Sequence, residues 1–421
     1  MIAADVRAEL RAMLRSLVDH GVKGTLDLAP SVVEVPTPAY TDPERFAREK
    51  KQIFRRLPLM LAPSCELPHP GCYKAMEVVG VPVLLVRQPD GTAAAFLNMC
   101  THRGNPLARG RGRARRFTCG YHGWTFGTDG RLLAVAAAAD FGTVDRAALC
   151  LKRLPCLERA GFVFAILDPQ SSLSIDEALC GYDRLLEAFG FQDWVLFDQR
   201  ELPGPNWKTA YDGYLDFYHL PVLHANTFGA DFFNRANYFA WGPHQRLANP
   251  SRFTQKVGSD ERIDLAALDE ADWPDDALLQ GVWTIFPHVS IATFYGGGVR
   301  GALVSQLFPG REVGESVTTQ YYLVEREPAT EAERKGAHDQ FEFLKLVVAD
   351  EDYATGRRQH EALMSGGLTH VLFGRNEGGG QRFHAWVERI LNASDAELGP
   401  LFRAARAEVE ERRARLLAEA A

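Results

Sequence analysis

Between Asn98 and Phe126 the chain reads NMCTHRGNPLARGRGRARRFTCGYHGWTF, and two short patterns in it decide how the rest is read: Cys100-Thr101-His102 and Cys119-Gly120-Tyr121-His122. Sixteen residues separate the two halves, and each half offers one thiol and one imidazole. Gly104 and Gly123 follow the histidines, where a loop bending tightly round a metal group favours a residue without Cβ. Two thiolates for one iron and two imidazoles for the other make the donor set of a histidine-ligated two-iron, two-sulfur cluster. Structural zinc is the rival, but its sites usually pair Cys-x-x-Cys with a second such pair or with two histidines.

Outward from these loops the pattern is one of short strands. Residues 73–79, 81–87 and 93–98 are β-type runs with Asp90-Gly91 as a hairpin turn, and 116–119, 124–126 and 161–166 continue the series. Residues 45–168 are therefore expected to form a small all-β domain. Residues 1–44 read as an amphipathic helix ending at Gly21, then an extended arm carrying Pro30, Pro36 and Pro38. A short helix is expected over 43–54. In 169–421 helical patterns at 175–189 and 207–218 alternate with strand-like runs at 281–295, 301–308 and 316–324, and long helices follow at 331–358, 381–392 and 395–419. The expected class is α+β, with a larger second domain built on an antiparallel sheet surrounded by helices.

The length of 421 residues suits two domains, and 46% hydrophobic with 24% charged residues is an ordinary globular composition. The longest apolar runs, 78–86 and 132–139, are about half the ~20 residues of a membrane span. The first twenty residues interleave Asp5, Arg7, Glu9, Arg11 and Arg15 with apolar ones, so no export signal is read. A net charge of −7 argues against a nucleic-acid-binding body. Seven scattered cysteines, an odd number, suggest a reducing cytoplasm in which cysteine is buried filler or a metal ligand.

A second constellation lies in the later half. Asp216, His219 and His224 form D-x-x-H-x-x-x-x-H. On a helix Asp216 and His219 would share a face, so that carboxylate and imidazole meet. His219 and His224 would diverge on an unbroken helix, and Pro221 is expected to break it between them. Two histidines and a carboxylate on one side of a metal, with open positions opposite, form the facial triad of Fe(II) oxygenases. The carboxylate is expected to come from a distant Asp or Glu, with Asp352 and Asp350 as candidates.

The two motifs, in this order and with Arg103-Gly104 and Gly123-Trp124 beside the first, resemble the Rieske non-haem iron oxygenases, at the level of the α (terminal oxygenase) subunit of aromatic-ring-hydroxylating dioxygenases. The resemblance spans residues from about 43 to about 389. Rieske proteins of quinol-oxidising complexes carry a further disulfide-bonded cysteine in each loop, where this chain has Asn105 and Tyr121.

The resemblance implies a Rieske [2Fe-2S] cluster on Cys100, His102, Cys119 and His122, and a mononuclear Fe(II) on His219, His224 and the Asp352 carboxylate. It implies electrons from NAD(P)H through a reductase, with or without a ferredoxin, O2 as co-substrate, and a head-to-tail homotrimer with a β subunit as an option. Asp216 would then bridge His219 to His122 of the neighbouring copy. Pocket candidates are Asp212, Phe217, Leu223, Phe228, Trp283, Phe286 and Phe294, with Phe232, Phe233 and Ile291 behind them. Their aromatic character favours hydroxylation of an aromatic or bulky apolar substrate. Asp212-Gly213 stands where many relatives have Glu-Asn, and an acidic Asp212 beside aromatic rings would suit a cation. The alternatives are therefore O- or N-demethylation, including of a quaternary ammonium compound, and, in a different class, a Rieske electron carrier without oxygenase chemistry. The Arg109–Arg116 loop is either a landing site for an acidic ferredoxin or a solvated surface loop.

Overall fold

Strand 81–87 shows how the first half is built. Its apolar run Val83, Leu84, Leu85 and Val86 is buried, and at its end Gly91 turns the chain at φ 87° while the Asp90 carboxylate accepts from the Thr92 N–H at 2.9 Å. Val81–Arg87 thereby pairs antiparallel with both Cys72–Val78 and Ala93–Leu97 in a five-stranded sheet closed by Gly110–Arg113 and Arg153–Leu154. Two further three-stranded sheets, Arg116–Thr118 with Thr125–Gly127 and Leu132–Ala134, and Cys156–Arg159 with Phe162–Ala165 and Leu59–Pro63, complete this part. The computed structural model describes residues 2–229, 234–255, 261–296 and 298–419.

The second half is organised on a seven-stranded antiparallel sheet in the order Val195–Gly204, Ser316–Val324, Val299–Pro309, Val289–Gly296, Val282–Ile285, His244–Ala248 and Asn237–Trp241. Helices Trp207–Tyr214, Glu331–Lys345, Ala354–Met364, Gly378–Asn392 and Asp395–Glu419 surround it. The fold is thus α+β, a small all-β unit beside a larger sheet-and-helix unit. One apolar core runs between them, from Leu59, Leu61 and Phe162 through Trp207 and Trp283 to Phe383. A smaller core of Leu84, Phe96, Phe117, Trp124 and Phe126 encloses Cys100 and Cys119. Among the described residues no helix is long and apolar enough to cross a membrane.

Several expected elements differ. The helix expected at 175–189 is split into Ile175–Ala178, Asp183–Leu186 and a 3₁₀ turn, because Cys180 and Gly181 take positive φ, 53° and 76°. The extended arm contains a strand, Val33–Pro36, paired with His370–Phe373, and a short helix Pro38–Thr41. The helix expected at 207–218 stops at Tyr214, so Asp216 lies outside it. Pro221 does not break a helix; it sits in the first turn of the short helix Leu220–Leu223, where its missing N–H costs nothing. The long helix over 331–358 is interrupted by a π-helical stretch, Leu346–Tyr353.

Candidate metal centres

The two cysteine–histidine loops are built alike. In each, the cysteine N–H bonds the carbonyl five residues on (Asn105 O, 2.9 Å; Trp124 O, 2.8 Å) and the cysteine carbonyl accepts from the glycine N–H four residues on (Gly104, 2.9 Å; Gly123, 3.0 Å). Both glycines have positive φ, 81° and 70°, as that closure requires. The turns present Cys100 and Cys119 side by side and buried, while the rings of His102 and His122 lie 4.7 Å apart. Burial holds the Cys100 thiol up. At Cys119 burial acts the same way, but N–H groups of Tyr121 and His122 and the bonded Cys100 and Asn105 side chains outweigh it and bring the thiol down. His122 Nδ1 is buried with no protein partner, an orphan nitrogen that a metal would satisfy. Trp124 stacks on His102 at 4.9 Å and 11°, and Phe141 meets both rings edge-on. Two thiols and two imidazoles in this arrangement fit a Rieske-type cluster.

In the second half the chain turns sharply after Leu215. The Asp216 carboxylate accepts from the Tyr218 N–H with one oxygen and meets His219 Nδ1 at 2.9 Å with the other. The expected contact therefore forms, through an Asx turn rather than a shared helical face. His224 caps the following short helix, and the Gly229 N–H returns to its carbonyl at 2.8 Å. The π-helical stretch brings the third group: Asp352 Oδ1 lies 3.1 Å from His224 Nε2 and 3.7 Å from His219 Nε2. One ligand atom from each of His219, His224 and Asp352 falls within 4.8 Å of the others. Asp350 is exposed and is not part of this group. The donor set fits a mononuclear iron.

Glu351 was not foreseen from the sequence. Its Oε2 lies 2.7 Å from His224 Nδ1 and also accepts from Thr227 Oγ1 at 3.1 Å. Each histidine thus has a carboxylate behind it, Asp216 for His219 and Glu351 for His224, leaving both Nε2 atoms turned to Asp352. Burial alone would lower His224, but Asp352 and then Glu351 raise it. No motif spacing announces Glu351; the only cue was a second carboxylate adjoining Asp352.

The pocket candidates divide. Phe228 stacks on His224 at 4.8 Å, with Phe343 6.4 Å beyond it. Phe217 is buried beside the Asp216 turn, Leu223 is half-buried, and Phe294 packs on a separate cluster with Val299 and Phe341. Trp283 and Phe286 belong to the core instead: Trp283 is fully buried with its indole N–H on Leu279 O, and Phe286 packs on Phe383. Ile291 is likewise core. Phe232 and Phe233 lie outside the described residues. Asp212 is not an open anion. It accepts from the Tyr40 hydroxyl at 2.7 Å and lies 3.0 Å from His384 Nε2.

Comparison with known proteins agrees with this geometry. Residues 58–154 match the Rieske [2Fe-2S] domain, and residues 191–393 match the ring hydroxylating alpha subunit (catalytic domain). The carnitine monooxygenase oxygenase subunit of Escherichia coli (strain K12) is 31% identical over 262 residues, 60% of this chain and 69% of that protein. The large oxygenase component of the naphthalene 1,2-dioxygenase system of Ralstonia sp. is 32% identical over 194 residues, 44% of this chain and 43% of that protein. Among solved structures, a quaternary ammonium Rieske monooxygenase in complex with gamma-butyrobetaine superposes with a TM-score of 0.71 at 23% identity, covering 86% of this chain and 97% of the other.

Proposed function

The chain belongs to the Rieske non-haem iron oxygenases as an α subunit, and from that premise we propose that it oxidises a quaternary ammonium substrate with O2 and electrons delivered by a partner reductase. It is an enzyme of two iron cofactors, a Rieske [2Fe-2S] cluster and a mononuclear iron. The match to the catalytic domain sets aside a simple electron carrier. The observation that carries the oxygenase reading is the convergence of His219 and His224 Nε2 on the Asp352 carboxylate.

When bound, the cluster supplies single electrons and the mononuclear iron activates O2 beside the substrate. The protein's own part is positional. Asp216 accepts the His219 Nδ1 proton and Glu351 that of His224, which fixes both imidazoles in the tautomer whose Nε2 lone pair points to the Asp352 side. Asp352 brings the negative charge of the triad. Asp216, one bond from His219 and 23% exposed, is available to reach a histidine of a second copy in a head-to-tail ring.

Two features support the substrate class. Matched relatives include oxygenase subunits of carnitine monooxygenase and of glycine betaine monooxygenase from Chromohalobacter salexigens, the latter 33% identical over 193 residues. Asp216, Glu351 and Glu377 also give the surroundings of the triad a negative bias. Burial holds the Glu377 carboxyl up, and the nearby Asp216 and Asp212 add to it. A second reading, dihydroxylation of an aromatic ring, is favoured by Phe228 on His224 and by the naphthalene dioxygenase likeness. The test is O2 uptake with a surrogate reductase against a panel of quaternary ammonium compounds and arenes. Substrate-dependent uptake with an N-dealkylated product supports the proposal; uptake only with arenes, giving products two oxygens and two hydrogens heavier, replaces it by the second reading.

A further inference from the structure

Charge is unevenly spread along the chain. Residues 58–154 hold twelve Lys and Arg against six Asp and Glu, a net +6 within a chain of −7, which leaves −13 for the rest. Six of the twelve, Arg103, Arg109, Arg111, Arg113, Arg115 and Arg116, fall in the connection between the two cysteine–histidine loops, and all six are exposed. That connection contains no acidic residue. Arg111 reaches Glu66 at 3.3 Å and Arg113 bonds the Pro70 carbonyl at 3.0 Å, whereas among the described residues no carboxylate lies within ion-pair distance of Arg109, Arg115 or Arg116. Exposed like charges this close repel, so an uncompensated run costs stability that an oppositely charged surface would restore.

This connection, which passes from one sheet to another, also borders a groove. Residues 105–109 on one side, and Thr118, Gly120 and Tyr121 on the other, line an open groove of about 500 Å³. The second wall flanks Cys119, whose Sγ lies 3.7 Å from Asn105 Nδ2. On the other side of the loops, Trp124 and Phe141 cover His102. The two sulfur atoms are themselves buried, and the groove lies over the Cys119 loop with Arg109 on its wall.

We propose that the arginine-rich connection and the groove beside Cys119 are the docking surface for an acidic redox protein that passes electrons to the cluster. The inference rests on Cys100, His102, Cys119 and His122 being the cluster's ligands. Each transfer oxidises the donor by one electron and reduces the cluster by one, and no bond is made or broken. The basic patch steers the donor over roughly a Debye length, ~8 Å at physiological salt, and the groove seats it over the Cys119 loop.

The experiment follows cluster bleaching by stopped flow in the full-length, cluster-loaded protein. The donor is a reduced acidic plant-type [2Fe-2S] ferredoxin, and photoreduced deazaflavin, a small neutral reductant, is the control. The proposal expects the wild-type rate constant with ferredoxin to fall about 10-fold or more between low and high salt. In the triple variant R109E/R115E/R116E it should be at least ~10-fold slower at low salt with a flattened salt dependence, and R109Q/R115Q/R116Q should lie between, while deazaflavin reduces all three equally. Wild-type rate and salt slope in both variants would overturn the proposal. So would an altered oligomeric size at unchanged ferredoxin rate, which would give the arginine-rich connection to contacts between copies. Wild-type protein lacking a histidine-ligated cluster spectrum would overturn the ligand reading as well; failure of docking alone leaves that spectrum intact.

Discussion

Two adjacent carboxylates hold the two nitrogens of one imidazole. Glu351 meets His224 Nδ1 at 2.7 Å while Asp352 meets Nε2 at 3.1 Å. The two substitutions should therefore separate cleanly. Asp352→Ala removes a donor, and iron content should fall from about three to about two atoms per chain, with the cluster spectrum unchanged. Glu351→Gln keeps the volume but loses the charge behind His224. It should weaken Fe(II) or Co(II) binding at this site by about 10- to 100-fold, read by metal titration, without touching the cluster. Equal affinity in E351Q and wild type would reduce Glu351 to a bystander. Asp216→Ala should weaken iron binding as E351Q does and lose turnover even when iron-saturated, with the cluster kept; an iron-saturated variant with wild-type activity would remove Asp216 from any electron path between copies. Asp352 was read only through the family resemblance, with Asp350 behind it. Glu351 was not, because a carboxylate that serves a histidine rather than the metal leaves no spacing signature.

That pairing depends on an element that periodicity does not reveal. Leu346–Tyr353 is π-helical between two α-helices, Glu331–Lys345 and Ala354–Met364. A π-bulge is a one-residue insertion accommodated inside a helix, and it is tolerated where function repays it. Deleting Ala349 would let the stretch relax to α-helix and remove the widened turn that sets Glu351 and Asp352 against His224. Helix content by circular dichroism should hold and the cluster should persist, while the mononuclear iron is lost; retained iron would show that the π-turn is incidental. At the other side of the site, a Cβ on Gly229 would lie 2.1 Å from the Leu220 carbonyl oxygen and 2.9 Å from His224 backbone atoms. Gly229→Ala is thus expected to displace His224 and cut iron content in the same selective way. Why the helix ends at Tyr214 is equally local. Asp216 draws the Tyr218 N–H to its side chain, an alternative to continuing the helix that an apolar-period count does not register.

Across the whole molecule, the all-β unit was legible because turns such as Asp90-Gly91 and short apolar runs such as 83–86 are written locally. The seven-stranded sheet was half legible: Ser316–Val324 was read at its full length, whereas the edge strands Val195–Gly204 and Asn237–Trp241, and His244–Ala248 next to the latter, were missed. Edge and second-rank strands carry mixed polar residues whose burial is decided by distant partners. Two of those partners are histidines buried as neutral rings. His244 bridges the Ala178 carbonyl, 2.9 Å from Nε2, and the Phe286 N–H, which donates to Nδ1 at 3.2 Å, so its bonds fix the neutral tautomer. His288 accepts the Met60 N–H on Nε2 at 3.1 Å and thereby joins the large sheet to strand Leu59–Pro63. Burial pushes His244 down to about 4 and His288 down to about 3. In the unfolded chain both titrate near 6.5, so below that pH the unfolded state binds protons the native state refuses. Their stabilisation is complete above about pH 6.5 and is lost as pH falls toward the folded values, on the order of 2 kcal/mol per histidine by pH 5. Urea denaturation at pH 7 and pH 5 measures this. His288→Asn should be less stable than wild type at pH 7, because Met60 loses a well-placed acceptor, yet should show a smaller loss between the two pH values. An unchanged pH difference in His288→Asn and His244→Gln alike would mean that acid sensitivity arises from the carboxylates, and that the histidine joining the two units acts only through its shape.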